Sequence, residues 1–262
     1  MTIYNMDCIE GMKQLPDESI DLVVTSPPYD NLREYNKSSS WSFEVFKKVA
    51  NELFSKLKWG GVVVWIVNDA VVKGSETGTS FKQALYFKEI GFNLHDTMIW
   101  EKDSTAFAEV NRYPQVFEYM FVFSKGKPKT FHAIEDRKNK YGGTNIHGTF
   151  RNADGTTTDR SKTWKTSICK EYGARFNVWQ IPSEKNNKTG HPAVFPMQLA
   201  KDHILSWSNE GDTILDPFMG SGTTALACIA TGRECIGYEI DKTYYDTAQE
   251  RIYQATKQQK MI

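Results

Sequence analysis

The stretch 212-DTILDPFMGSGTTALA-227 decides the fold. Thr213 to Leu215 form a short apolar run, Gly220-Ser221-Gly222 permit a tight turn, and the residues from Thr223 read as a helix. Glycines there let the backbone bend sharply and let a ligand approach the first amides of the helix. The segment also satisfies the fingerprint G-x-G-x-x-[G/A]. Glu239, at the end of the next predicted strand, lies 19 residues beyond Gly220, where an acidic side chain grips a ribose diol.

Three readings of this turn stay open at that level: an NAD enzyme, another adenosine-binding enzyme, and a glycine turn needed only for helix packing. Asp216 and Pro217 shift the balance, because they stand where a dinucleotide enzyme runs from apolar residues straight into glycine. An acidic residue suits a ligand with a cationic amine, such as the amino-acid end of S-adenosyl-L-methionine, and sits awkwardly beside a pyrophosphate. Only one further strand follows, whereas a two-half dinucleotide fold needs more chain.

Outward from this unit, strands alternate with helices, as in a mainly parallel sheet covered on both faces. "SIDLVVTSPPY", "VVVWIVND", "LHDTMIWEK", "FEYMFVFSK" and "ECIGYEID" read as strands. "SFEVFKKVANELFSKLKWGG" reads as an amphipathic helix stopped by Gly60-Gly61, with Phe43, Phe46, Val49, Leu53 and Leu57 at helical spacing. "TSFKQALYFKEIGF", "HPAVFPMQLAKDHILSWS" and the residues from Thr243 are further helices. Trp65 and Trp100 sit inside apolar strands and are assigned to the core.

The strand at "DLVV" stops at two prolines in "TSPPYDNLREY", residues 25–35. Proline lacks an amide hydrogen and pushes its predecessor out of the helical region, so the strand ends at Ser26. The result is a stiff ledge bearing a hydroxyl, the Pro27 carbonyl and the Tyr29 ring, at the edge where open α/β sheets bind ligands. A plain proline turn with Tyr29 in the core is the alternative.

Composition bounds the partners. The 262 residues suit one α/β domain with an insertion or two small domains, and 40% hydrophobic with 24% charged residues is ordinary for a globular chain. No apolar run approaches a membrane span and the start lacks an export signal, so a cytoplasmic location is expected. The four cysteines form no C-x-x-C pair and the histidines are scattered, so no metal is expected. Net charge is zero, yet residues 125 to 175 hold 12 Lys and Arg against 5 Asp and Glu. That excess marks an irregular basic insertion on a mildly acidic body.

"TSPPY" and "DPFMGSGTT" together resemble the catalytic and cofactor motifs of amino-group DNA methyltransferases, and their order resembles the circularly permuted group called β. The likeness extends through "NMDCIEGMKQLPDESIDLVVTSPPY", "IWEK", "FEYMFVFSK", "NVWQIP" and "HPAVFPMQLA". It implies an α/β, Rossmann-like class I methyltransferase that uses S-adenosyl-L-methionine. Residues 1–124 would form the catalytic half, 125–175 the basic target-recognition insertion and 176–262 the cofactor-binding half. Serine at the head of the catalytic motif implies transfer to N4 of cytosine in double-stranded DNA by base flipping, with adenine N6 as the alternative. An NAD-dependent oxidoreductase and a catalytically silent DNA-binding module are more distant rivals.

By the same resemblance Ser26, Pro27, Pro28 and Tyr29 are catalytic. Asp7, Cys8, Asp216, Pro217, Phe218, Gly220, Ser221, Gly222, Thr223 and Glu239 contact the cofactor, although Asp7 could equally cap a helix. Candidate DNA contacts are Arg33, Arg112, Lys125, Lys127, Lys129, Arg137 and Lys138, with Tyr141, Phe150 and Trp164 interleaved in the insertion. A surface ion pair serves Arg33 or Arg112 as well. His191 reads as structural, because transfer to an amino group needs no strong base. Replacing Gly222 with Asp is expected to block the cofactor and spare the fold. The partners implied are double-stranded DNA, a cognate restriction endonuclease and a second copy of the chain.

Overall fold

The computed structural model describes residues 1–28, 41–103, 111–146, 148–160, 168–184 and 195–259. Among them the chain runs β1 (Thr2–Tyr4), α1 (Cys8–Met12), β2 (Ile20–Thr25), α2 (Phe43–Lys56), β3 (Leu57–Val67), β4 (Val71–Val72), β5 (Ser75–Glu76), α3 (Thr79–Glu89), β6 (Asn93–Glu101) and β7 (Phe117–Ser124). It continues through β8 (Arg137–Lys138), β9 (Thr149–Arg151), β10 (Thr157–Asp159), β11 (Tyr172–Gly173), β12 (Val178–Gln180), α4 (Met197–Trp207), β13 (Thr213–Asp216), α5 (Thr223–Thr231), β14 (Glu234–Tyr238) and α6 (Lys242–Gln259). Two units result: Met1–His132 with Asn177–Ile262, and Ala133–Phe176.

The first unit is built on an eight-stranded sheet in the order β1-β14-β13-β2-β3-β7-β6-β12. Strand β7 runs antiparallel to both neighbours, and every other pairing is parallel. The central strands bury both faces, which is why they read as continuous apolar runs without alternation. Val23, Val63, Trp65, Phe121, Phe123 and Leu215 face a core shared with α1, α2 and α3. Leu22, Val24, Val62, Val64, Met120 and Val122 are equally buried. On their side lies α4, whose His203 Nε2 is 3.2 Å from Met120 Sδ while its ring stacks on Trp179.

Helix α2 starts where the Ser42 hydroxyl accepts the Val45 amide. Its end differs from expectation. Gly60-Gly61 is no helix stop, because β3 begins at Leu57, one residue after the helix. Gly60 lies inside the strand at φ +83°, where a Cβ would stand 2.9 Å from Lys129 Cβ. The chain thus turns from helix to strand without a loop, and glycine is needed for close approach of the 127–129 backbone. Strands β1 and β12, and the ribbons of the basic region, carry too few residues to show periodicity.

Trp65 and Trp100, the two tryptophans assigned to the core above, satisfy their ring N–H groups. Trp65 Nε1 donates to Gln83 Oε1 at 2.8 Å and Trp100 Nε1 to the Ile181 carbonyl at 2.8 Å. A buried indole packs as an apolar body at least cost when its polar edge finds an acceptor.

The second unit holds two short antiparallel ribbons, β8 with β11 and β9 with β10. Arg175 grips Asp136 with Nε at 3.0 Å and Nη2 at 2.5 Å from Oδ2, and the Arg137 guanidinium lies 4.3 Å from the centre of the Phe176 ring. Asn152 closes the β9–β10 hairpin through the Thr156 and Thr158 hydroxyls. Ion pairs and side-chain hydrogen bonds therefore do here what apolar burial does in the sheet.

Phe46 is fully buried and packs edge-on against Trp65, Tyr86 and Phe87. Phe46→Ala should cost about 3–5 kcal/mol, the usual range for emptying such a site. Denaturant unfolding monitored by tryptophan fluorescence measures it.

Candidate active site

Strand order decides which residues meet. Because β1, β14, β13 and β2 are adjacent and parallel, their carboxyl ends lie in a row on one edge of the sheet. Asp7, Glu239, the 216–222 turn and Ser26-Pro27-Pro28 follow those ends in that order. The pairing of Leu215 with Val23 brings the two motif-bearing strand ends side by side. Ser26 and Pro28 are half-buried and Pro27 is buried. Tyr29 and Arg33 lie outside the described residues, as do Trp164 and His191.

Asp216 is the hub of this edge. Its Oδ1 accepts from Thr25 Oγ1 at 2.6 Å and from the Phe218 amide at 3.0 Å, and its Oδ2 accepts from Thr224 Oγ1 at 2.6 Å. The residue is 1% exposed. Burial pushes its carboxyl up to about 6, against the pull of these three donors. Through this group alone, the folded chain holds a proton more tightly than the unfolded one, so the stabilisation is full below pH about 4 and is lost as pH rises through about 6. Two of the three donors sit on Oδ1 and one on Oδ2, so the carboxylate ties the strand end to the turn.

The glycine turn is held from several sides. Gly220 and Gly222 take left-handed conformations at φ +51° and +87°, which only glycine adopts without strain. A Cβ on Gly222 would stand 3.1 Å from Ala248 Cβ in α6. Gly222→Asp would therefore press on helix packing, contrary to the expectation that the fold is spared. Arg251 of α6 donates from Nη1 to the Ser221 carbonyl at 2.5 Å and to the Ser221 hydroxyl at 3.0 Å. The Ser221 hydroxyl and carbonyl are thus tied to a helix. Pro217 is buried, and half-buried Phe218 packs edge-on against Trp41.

The turn also offers what a ligand needs. Thr223 Oγ1 is buried without a partner among the described residues, in the first turn of α5. An orphaned hydroxyl there fits a polar ligand lying on the turn. Glu239 Oε2 accepts from the Gly220 amide at 2.8 Å and Oε1 from the Asp241 amide at 2.8 Å. Burial raises its carboxyl above the ordinary value. Each oxygen retains acceptor capacity for a diol.

Asp7 caps α1, its Oδ1 accepting the Ile9 amide at 2.8 Å and the Glu10 amide at 3.1 Å, which leaves Oδ2 for another donor. Cys8 is corrected: its thiol packs into the core, and burial pushes it up to about 12.

The proposed DNA contacts divide. Thr25 pairs with Trp65 and Trp65 with Phe121, whereas Ser124, ending β7, pairs with Val62 in the middle of β3, and the next residue, Lys125, bonds to Gly60 and Gly61 further toward the amino end of β3. Lys125, Lys127 and Lys129 therefore follow a strand end on the edge opposite Ser26, and all three are withdrawn as contacts to DNA at the ledge. Lys125 is buried as well, with Nζ 3.0 Å from the Leu57 carbonyl and 3.1 Å from Glu18 Oε1. Arg112 Nη2 donates to the Gly74 carbonyl at 2.7 Å and so braces the β4–β5 turn. Arg137 and Lys138 belong to the second unit, the former half-buried and the latter exposed.

Thr25, Thr224, Arg251 and Trp41 were not singled out by sequence. One signal was available for the threonines: an acidic residue in an apolar strand with no basic neighbour needs hydroxyl or amide donors. Nothing local marks Arg251, which reaches Ser221 across 30 residues.

Comparison with known proteins agrees with this geometry. The family model N6_N4_Mtase, described as DNA methylase, matches residues 20–250. The orphan methyltransferase M.BamHII of Bacillus amyloliquefaciens is 55% identical over 248 residues, covering 92% of this chain and 91% of its own length. The DNA adenine methyltransferase YhdJ of Escherichia coli (strain K12) is 28% identical over 274 residues, covering 96% of this chain and 82% of its own. Among solved structures, M1.HpyAVI in complex with S-adenosyl-L-methionine is 25% identical with a TM-score of 0.65, covering 96% of this chain and 98% of that one. The dinucleotide reading of the glycine turn is thereby displaced. The chain belongs to the N6_N4_Mtase family of DNA methylases, and its methyl donor is S-adenosyl-L-methionine.

Proposed function

We propose that the chain transfers a methyl group to the exocyclic N4 of cytosine in double-stranded DNA. The observation that carries this reading is the adjacency of β2 and β13, which sets the Ser26-Pro27 ledge beside the cofactor turn. Serine at the head of the ledge motif supports cytosine. Adenine N6 is the second reading, favoured by the name of the Escherichia coli relative.

Bound S-adenosyl-L-methionine supplies an electrophilic methyl group on a sulfonium. Gly220, Gly222 and Thr223 would hold it against the turn, with Glu239 accepting from the ribose hydroxyls. The chain's remaining task is to prepare the acceptor. The amino nitrogen of cytosine is a poor nucleophile because its lone pair is delocalised into the ring. The Ser26 hydroxyl oxygen and the Pro27 carbonyl accept its two hydrogens, which favours a pyramidal nitrogen with the lone pair aimed at the methyl carbon. The methylated nitrogen then sheds a proton to solvent, and no strong base is required. Tyr29 stacks on the flipped base, since the nitrogen is out of reach inside a duplex. Exposed Lys138 and Lys140 of the second unit contact phosphates.

Ser26→Ala should slow single-turnover transfer by at least about tenfold while DNA and cofactor affinities change little, because its bond matters most as the nitrogen pyramidalises. Tyr29→Ala should lose about 1–3 kcal/mol of stacking. Full activity from both variants sinks the catalytic reading. Mass analysis of nucleosides from the methylated product distinguishes N4-methylcytosine, the expected product, from N6-methyladenine.

Salt titration of DNA binding separates the two groups of basic residues. Lys138→Ala with Lys140→Ala should flatten the salt slope by about 1 per residue. Lys127→Ala with Lys129→Ala should leave it unchanged. A reversed outcome would return the DNA path to the opposite edge of the sheet.

A further inference from the structure

Three neutral donors converge on the Asp216 carboxylate from two parts of the chain. Thr25 is the last residue of β2 and directly precedes Ser26. Phe218 and Thr224 flank the glycine turn on either side. Thr25 and Thr224 are fully buried, and the Thr224 hydroxyl oxygen also lies 3.4 Å from the Val24 carbonyl. Burying a carboxylate is costly even with hydrogen bonds. Valine or leucine would serve packing better at such a site, as Leu22, Val23, Ile214 and Leu215 do one turn of the pleat below. What the carboxylate adds is direction: short charge-assisted bonds fix the separation of their donors far more tightly than apolar contact does.

We propose that Thr25 and Thr224, both seated on Asp216, are positioning residues that lock the Ser26-Pro27 ledge to the cofactor turn and so align methyl donor and acceptor. The role rests on the reading of Ser26-Pro27 as the acceptor site. The two threonines are fully buried. They act through the strand end and the turn, and near-attack geometry is sensitive to displacements well under an ångström.

The test uses Thr25→Val and Thr224→Val, which keep shape and remove the hydroxyl, in the full chain with duplex DNA and S-adenosyl-L-methionine. Cofactor affinity by calorimetry should stay within about threefold of wild type, while single-turnover transfer at saturating DNA and cofactor slows about tenfold. Thr25→Ser and Thr224→Ser, which keep the hydroxyl, should restore the rate to within about threefold. The double valine variant should slow by less than the product of the single effects, because both bonds serve one alignment.

Wild-type transfer by folded valine variants overturns the role. So does a loss that serine does not restore and that tracks the fall in unfolding temperature. If the valine variants do not fold, the serine variants carry the test, and slow transfer by them despite normal unfolding overturns it. Ser26→Ala separates the two levels: full activity there removes the ledge reading and this role together. Slow transfer by Ser26→Ala beside normal transfer by Thr25→Val removes this role alone.

Discussion

The parallel pairing of β2 with β13 is the constraint on which the rest of the molecule depends. It joins strands from distant parts of the chain and makes them neighbours at the centre of the sheet, Ile214 on Leu22 and Leu215 on Val23. Everything chemical follows from where those strands stop. One ends in Thr25 and hands over to a proline ledge; the other ends in Asp216 and hands over to a glycine turn. Both stops are enforced by residue type, since proline cannot continue the ladder and two left-handed glycines cannot remain in it. Because the strands are parallel, both exits open on the same side. An antiparallel pairing of the same two segments would have separated ledge and turn by the width of the sheet.

The charge of Asp216 and Glu239 is handled differently from that of the carboxylates on the amino edge. On the carboxyl edge, Asp216 and Glu239 are held by hydroxyls and amides, and burial raises both. On the amino edge, carboxylates meet ammonium groups: Asp21 with Lys58, Asp17 with Lys56 and Glu18 with Lys125. Pairs of the second kind neutralise one another within the fold.

Much of this was legible in the sequence because it is written in strong local signals. The apolar runs of β2, β3 and β7, the helical spacing in α2 and the glycine turn each declare themselves within about fifteen residues. The motif order then told which strand ends must meet. Reading failed where a residue's role is set by a distant partner. Asp216 was read from its place before the glycine turn, where its link to the other motif does not show, because its Thr25 donor arrives from 191 residues away. Lys125 looked like part of a basic run, yet its ammonium belongs to Glu18 and the Leu57 carbonyl. Lys127 and Lys129 looked interchangeable with Lys138 for the same reason. Charge counted along a sequence does not register that β7 reverses direction and delivers its end to the other side of the sheet.

The distance in sequence between β2 and β13 also bears on how the chain is made. At a synthesis rate of about 5–20 residues per second, the 191 residues from Thr25 to Asp216 take roughly 10–40 s to emerge. Through that interval β2 can pair with β3 on one side only, and its other edge, rich in valine and leucine, has no native partner. Contacts of such long range are slow to form and leave apolar edges open meanwhile. The nascent chain therefore has a defined period of vulnerability to edge-to-edge association, which ends only when β13 inserts between β2 and β14.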